Sequence, residues 1–231
     1  MALPVLNETP RYELTVPSTN KQIKFRPYLV KEEKVLLIAS ETNDRDSIVN
    51  AITDTVMACV HGEVNRDELT MFDLEYMFVM IRSKSVGERV NIQYPCRDCN
   101  HTNTVELDLE NVVCEIPTKE NKINISDSVS IEMMYPGYSS FDINLEDETE
   151  MGFSIIASSI KSVLTEEEKI DVSNEPKEEV YKFIESMTTD QFRKVADFVR
   201  KMPALKYESS FICQGCGANN DYQIRGLKSF F

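Results

Sequence analysis

Apolar positions recur along this chain at two periods, and the switches between them mark its parts. Tyr12–Val16 and Gln22–Arg26 each alternate over a few residues, with Pro17-Ser18-Thr19-Asn20 between them, which predicts a β-hairpin. A helical block follows. Val35, Leu36 and Ile38 lie within a first helix over Lys31–Glu41, and a second begins near Asp44–Ser47 and ends at Gly62. Along the second, Ile48, Ile52, Val56 and Cys59 keep helical spacing. The third helix has the clearest start: Thr70 suits the N-cap, with Asp73 three positions on in capping-box fashion. Met71, Leu74, Phe78 and Ile81 then step along one face, as a core-facing stripe does, and Gly87 closes the segment.

From Glu88 to Tyr135 the period becomes two, with Val105, Leu107 and Leu109, then Val129, Ile131 and Met133, alternating with polar residues. Near Leu145 the pattern turns helical again, and Phe153, Ile156, Ile160 and Val163 mark one face. Acidic runs bracket this segment: Glu146-Asp147-Glu148 with Glu150, and Glu166-Glu167-Glu168 with Asp171. The first suits a helix N-terminus and the second a solvated linker, with an acidic docking face as the sharper alternative. Two shorter helices follow, one from Asn174 through Pro176 to Met187. The other is capped by Thr188 with Gln191 at its third position, buries Phe192, Val195, Val199 and Met202, and stops at Pro203. Residues 205–225 return to strand character. Residues 1–10, with Pro4 and Pro10 and no periodicity, read as an extended arm.

Two strand-rich stretches carry the same chemistry. Cys96-Arg-Asp-Cys99 and Cys213-Gln-Gly-Cys216 each follow alternating residues (Val90, Ile92, Tyr94; Tyr207, Phe211) and lead through a polar turn into another strand. That is half of a zinc ribbon, a hairpin whose tip presents two thiolates, and two such tips supply the four sulfurs of a closed tetrahedral zinc site. Cys99 and Cys213 lie 114 positions apart, so one ion would join the middle of the chain to a point far along it. A thioredoxin-like redox pair would want its cysteines at a strand-to-helix junction. Structural disulfides would need an oxidising compartment, and the N-terminus shows no basic region followed by an apolar one. Cys59 and Cys114 read as core residues. His101 reads as a solvated turn residue beside a complete set of four thiols. His61, next to Gly62, is expected to cap the C-terminal end of the second helix.

Composition narrows the function classes. The chain has 231 residues, is 42% hydrophobic and carries a net charge of −14. No stretch approaches the ~18 consecutive apolar residues of a membrane span. Zinc ribbons often bind nucleic acid, but that affinity rests on neutralising phosphates, which a surface this acidic opposes. Seven glycines include no GxGxxG or GK[ST] loop, the two histidines form no HExxH pair, and no GxSxG elbow is present. A zinc closed by four cysteines offers no activated water. The expectation is a non-enzymatic binding protein.

The segments Ala2-Leu3-Pro4-Val5-Leu6, Tyr12-Glu13-Leu14-Thr15-Val16-Pro17-Ser18 and Ile23–Lys34, taken in that sequence, resemble the base plate hub proteins of T-even-like contractile-tailed phages. Phe72-Asp73-Leu74-Glu75-Tyr76, leading to Ile81–Glu88, adds to the likeness. The resemblance implies a hub subunit or hub assembly factor, working in the host cytoplasm during assembly or in the tail base plate of the virion. It implies as partners other tail or hub proteins, the tape measure protein among the candidates; that neither nucleic acid nor membrane is a partner is the expectation from charge and hydropathy above. A zinc-ribbon regulator of transcription or nucleic acid is the alternative, and a thiol oxidoreductase a third. The expected fold is α+β, with helical portions packed on a small antiparallel sheet that carries a split zinc-ribbon-like site of Cys96, Cys99, Cys213 and Cys216. Its expected parts are the arm 1–10, a hairpin and helical region 11–87, a discontinuous β-rich region 88–135 with 205–231, and a helical insertion 136–204.

Overall fold

A computed structural model describes residues 9–42, 44–116, 121–140 and 148–226, so most of the arm expected at 1–10 lies outside the described residues, as do Glu146 and Asp147. The fold is α+β. In chain order the elements are β1 (Tyr12–Thr15), β2 (Gln22–Phe25), α1 (Val30–Thr42), α2 (Arg45–Cys59), β3 (Val60–His61), α3 (Met71–Ser85), β4 (Arg89–Pro95), β5 (Thr102–Asp108) and β6 (Val113–Cys114). Then come β7 (Lys122–Asn124), β8 (Ser130–Met133), α4 (Glu148–Ser159), β9 (Ile160–Leu164), β10 (Lys169–Asp171), α5 (Lys177–Glu185) and α6 (Thr189–Arg200), and finally β11 (Leu205–Ile212) and β12 (Asn219–Arg225). The described residues form two compact units. The first takes the chain through Arg66, Met71–Glu115 and the residues from Ala204 on; the second takes Asp67–Thr70 and Ile116–Pro203.

In the first unit the expected hairpin forms, and its turn places Asn20 at φ +54°, a conformation asparagine tolerates. The Ser18 N–H of that turn donates to Asp73 Oδ1 on α3 at 2.8 Å. α1 begins where Glu32, its third residue, reaches back to accept the Leu29 N–H at 2.8 Å, and Asp44 caps α2 by accepting the Ser47 N–H. α2 ends at Cys59, three residues earlier than expected. His61 therefore does not cap a helix: it lies in β3, paired with Lys24 of β2, because Val60 adopts extended backbone and continues into the sheet. α1 buries little, leaving Val30 79%, Leu37 60% and Ile38 55% exposed along one face.

The cysteine-bearing stretches form two antiparallel hairpins, β4–β5 and β11–β12, the latter extended by β6. The small single sheet that was expected is therefore four sheets among the described residues, and the two cysteine hairpins share no ladder. Side chains join them instead. Val105 and Leu107 of β5 and Tyr207, Tyr222 and Ile224 of β11–β12 make one core with Val79 of α3 and Leu205. Tyr94 packs its ring against Phe211 and Tyr222, with centroids 6.1 and 5.2 Å away. Strict alternation in β5 and β12 makes this possible, since every second residue points to the shared core.

The second unit is a four-stranded sheet, in the order β10-β9-β8-β7, packed on α4–α6. Three expectations are corrected here. Ile160 and Val163 do not extend a helix face; they lie in the strand β9, which pairs with β8 on one edge and β10 on the other. Pairing on both edges overrides a local spacing that fits a helix. Glu166-Glu167-Glu168 is the turn of the β9–β10 hairpin, closed by the Thr165 N–H donating to Glu168 O at 2.9 Å, and not a linker between helices. β7 and β8, read from sequence as companions of the cysteine strands, belong to this unit's sheet, β7 pairing with β8 and β8 with β9, and β9 and β10 put two strands in the region expected as a helical insertion. α6 carries the capping box foreseen for it, with Thr188 and Gln191 reciprocally bonded. Thr188→Ala should lower stability by about 1 kcal/mol, read as an earlier midpoint in urea unfolding. An unmoved midpoint would show that water replaces the cap without loss.

Candidate metal centre

Each cysteine pair sits in a tip of six residues. Pro95 pairs with Thr102 across the first tip and Ile212 with Asn219 across the second. Both tips fold the same way. The Cys96 N–H donates to His101 O (2.9 Å) and the Asn100 N–H to Cys96 O (3.0 Å); the Cys213 N–H donates to Ala218 O (2.8 Å) and the Gly217 N–H to Cys213 O (2.9 Å). The residue after the second cysteine takes a left-handed backbone in each case, Asn100 at φ +57° and Gly217 at φ +76°, which explains the residue types there.

The tips meet sulfur to sulfur. Cys96 Sγ lies 3.7 Å from Cys216 Sγ, Cys99 Sγ lies 3.6 Å from Cys213 Sγ, and all four sulfurs are within 4.8 Å of one another. A zinc ion with bonds of about 2.3 Å needs sulfurs about 3.8 Å apart in a tetrahedron, so the four residues fit such an ion. Cys96 and Cys213 are buried while Cys99 and Cys216 are exposed. The N–H groups of Asp98 and Gly215 donate to the buried sulfurs at 3.4 and 3.3 Å.

Those donors polarise the set. The Cys99 and Asp98 N–H groups outweigh burial and hold the Cys96 thiol below its usual range. Burial pushes Cys213 up, but the Cys216 and Gly215 N–H groups bring it down to about 6. The outer thiols go the other way. The His101 N–H lowers Cys99, yet the Cys216 sulfur and burial take it to about 12; the Ala218 N–H and the Cys99 sulfur lower Cys216, but burial with the Cys96 and Cys213 sulfurs leaves it raised as well. An ion that takes all four sulfurs as thiolates must displace the protons of the outer pair.

The four cysteines singled out in the sequence are thus brought together, and His101 is not among them. Its ring covers Gly215, where a Cβ would come within 2.9 Å of His101 Cγ, so the glycine is required by the contact. Cys59 is fully buried, and burial pushes its thiol to about 11; Cys114, half-buried in β6, is pushed to about 12 by burial with Asp73 and Glu75. Sequence reasoning passed over Asn103 and Asn220. Both are buried, and each donates from Nδ2 toward a cysteine of the other tip: Asn220 to Cys96 Sγ at 3.4 Å and Asn103 to Cys213 Sγ at 3.7 Å. A signal was present, since each stands four residues after the second cysteine, making Cys-x-x-Cys-x-x-x-Asn twice.

Four thiolates fill a tetrahedral shell and leave no position for substrate, which is the arrangement of a structural site. No curated protein and no solved structure matches the chain. A family model described as the T4 bacteriophage base plate protein matches residues 9–231, a span that takes in both cysteine tips and all of the elements above. On that extent the chain belongs to the T4 bacteriophage base plate protein family, which places it among the structural components of a phage tail base plate.

Proposed function

We propose that the protein serves the base plate hub, as a hub subunit or as a factor that assembles the hub, and that it holds one structural zinc through Cys96, Cys99, Cys213 and Cys216. The family match over residues 9–231 carries this reading, and the order of the N-terminal segments points from the base plate to its hub. The protein acts by binding other tail proteins, the tape measure protein among the candidates, and not by catalysis. Its work begins in the host cytoplasm, where tails assemble. Two features support a binding role: the closed set of four sulfurs and the apolar residues Val30, Leu37 and Ile38 that α1 turns to solvent.

The reading is tested by tagging the chain in phage-infected cells. Other tail proteins are expected to co-purify with it. Presence in purified particles would mark a subunit, and absence from them an assembly factor. Recovery without tail proteins, or salt-sensitive association with DNA, would overturn the proposal in favour of a zinc-ribbon regulator.

A further inference from the structure

We propose that Asn103 and Asn220 are positioning residues of the metal centre, forming a reciprocal clamp that sets the two tips in register and screens the buried thiolates. The metal half of this proposal rests on the zinc reading above; the clamp itself is made of protein alone.

Each asparagine makes the same three bonds. Asn103 donates to His101 O of its own tip at 2.9 Å and toward Cys213 Sγ of the other, while its Oδ1 accepts the Gln214 N–H at 2.9 Å. Asn220 donates to Ala218 O of its own tip at 3.1 Å and to Cys96 Sγ of the other, while its Oδ1 accepts the Arg97 N–H at 2.9 Å. Exchanging the two tips maps one set onto the other. This also fixes the amide orientation, because a flipped side chain would aim oxygen at a carbonyl and a sulfur.

The placement follows from the strands. Asn103 leads the inward-facing series Asn103, Val105, Leu107 of β5, and Asn220 leads Asn220, Tyr222, Ile224 of β12. Each is therefore the first core-facing residue beyond its tip, where the apolar core gives way to the sulfurs. A buried amide there is tolerated because all its polar atoms are used. The two hairpins share no backbone ladder, so among the described residues these amides are the polar links that carry one tip's backbone to the other. Hydrogen bonds to a ligand sulfur orient it and offset its charge, and removing such partners commonly weakens metal binding.

The test compares Asn103→Ala, Asn220→Ala and the isosteric Asn103→Asp and Asn220→Asp with the full-length protein. Zinc affinity is read by competition with a chromophoric chelator, and backbone exchange at Arg97 and Gln214 is read on metal-free protein. Each alanine variant should bind zinc about 10–100-fold more weakly. Each should also speed exchange at the opposite tip, Gln214 for Asn103→Ala and Arg97 for Asn220→Ala, a cross-hairpin effect that local packing loss would not produce. The aspartate variants keep the accepting oxygen, so Arg97 and Gln214 should stay protected while zinc affinity still falls. Gln93→Ala, which removes an exposed bond to Thr104 on the same hairpin, should leave affinity unchanged. Alanine variants that bind zinc within about twofold of the native protein would overturn the positioning role. If a variant does not fold, the native protein still decides: free exchange at Arg97 and Gln214 in the metal-free state overturns the clamp. Protected amides in a native chain that takes up no zinc would overturn the zinc reading, and the positioning role with it, while upholding the clamp.

Discussion

Protein made in zinc-supplemented medium is expected to carry about one zinc per chain, and its Cys96→Ser variant almost none. Cys96 is the most exacting of the four positions. It is 1% exposed, and the N–H groups of Asp98 and Cys99 together with the Asn220 amide already face its sulfur. A serine hydroxyl is a poor substitute for a thiolate and leaves those donors short of their anion. Structural zinc contributes on the order of 10 kcal/mol of apparent binding energy in zinc-finger peptides. Here Val105, Leu107, Tyr207 and Tyr222 also hold the hairpins together, so the variant should melt many degrees lower without losing its fold outright. Cys59→Ala should retain zinc and lose only packing. Elemental analysis and thermal melts with and without a chelator decide the matter. A native protein with no stoichiometric metal would sink the site.

Leu107→Ala should cost about 2–5 kcal/mol, the range for truncating a fully buried leucine. Leu107 has no exposed surface, lies one residue from the end of β5, and belongs to one core with Val105, Tyr207, Tyr222 and Ile224. Ile212→Ala, one residue before Cys213 but 71% exposed, should change stability by less than about 0.5 kcal/mol. The pair separates core packing from nearness to the metal. Urea unfolding of zinc-loaded protein reads it directly, and equal losses at the two positions would contradict the packing described here.

Much of this was legible along the chain because the signals are local. The hairpin from Tyr12, the cap at Thr188 and the two cysteine tips each announce themselves within a few residues. What was not legible depends on distant partners. Phe153, Ile156, Ile160 and Val163 keep a helix-compatible spacing, and only the presence of β8 and β10 on either side turns the last two into a strand. His61 belongs to a sheet because Lys24 lies opposite it. At the candidate site the sulfurs were evident, whereas Asn103 and Asn220 were not. An asparagine after a turn ordinarily means another turn residue, and its burial follows only once the second hairpin covers it.

The pairing of β6 with β11 joins residues far apart along the chain, and that separation bears on how the chain folds. Cys114 lies opposite Leu205, so residues 116–203, the larger part of the second unit, leave and rejoin the first unit at two strands that pair antiparallel. Closing a loop of that length as open coil carries an entropic penalty that grows with the logarithm of its size. A collapsed second unit shortens the gap that must be bridged. The first cysteine pair, made 114 positions before its counterpart, has to wait with its thiols unpartnered while that happens. Zinc held by the four thiols would then act as a late latch, taken up only once β11 has come back beside β6, and its uptake would report that the intervening residues had already found their shape.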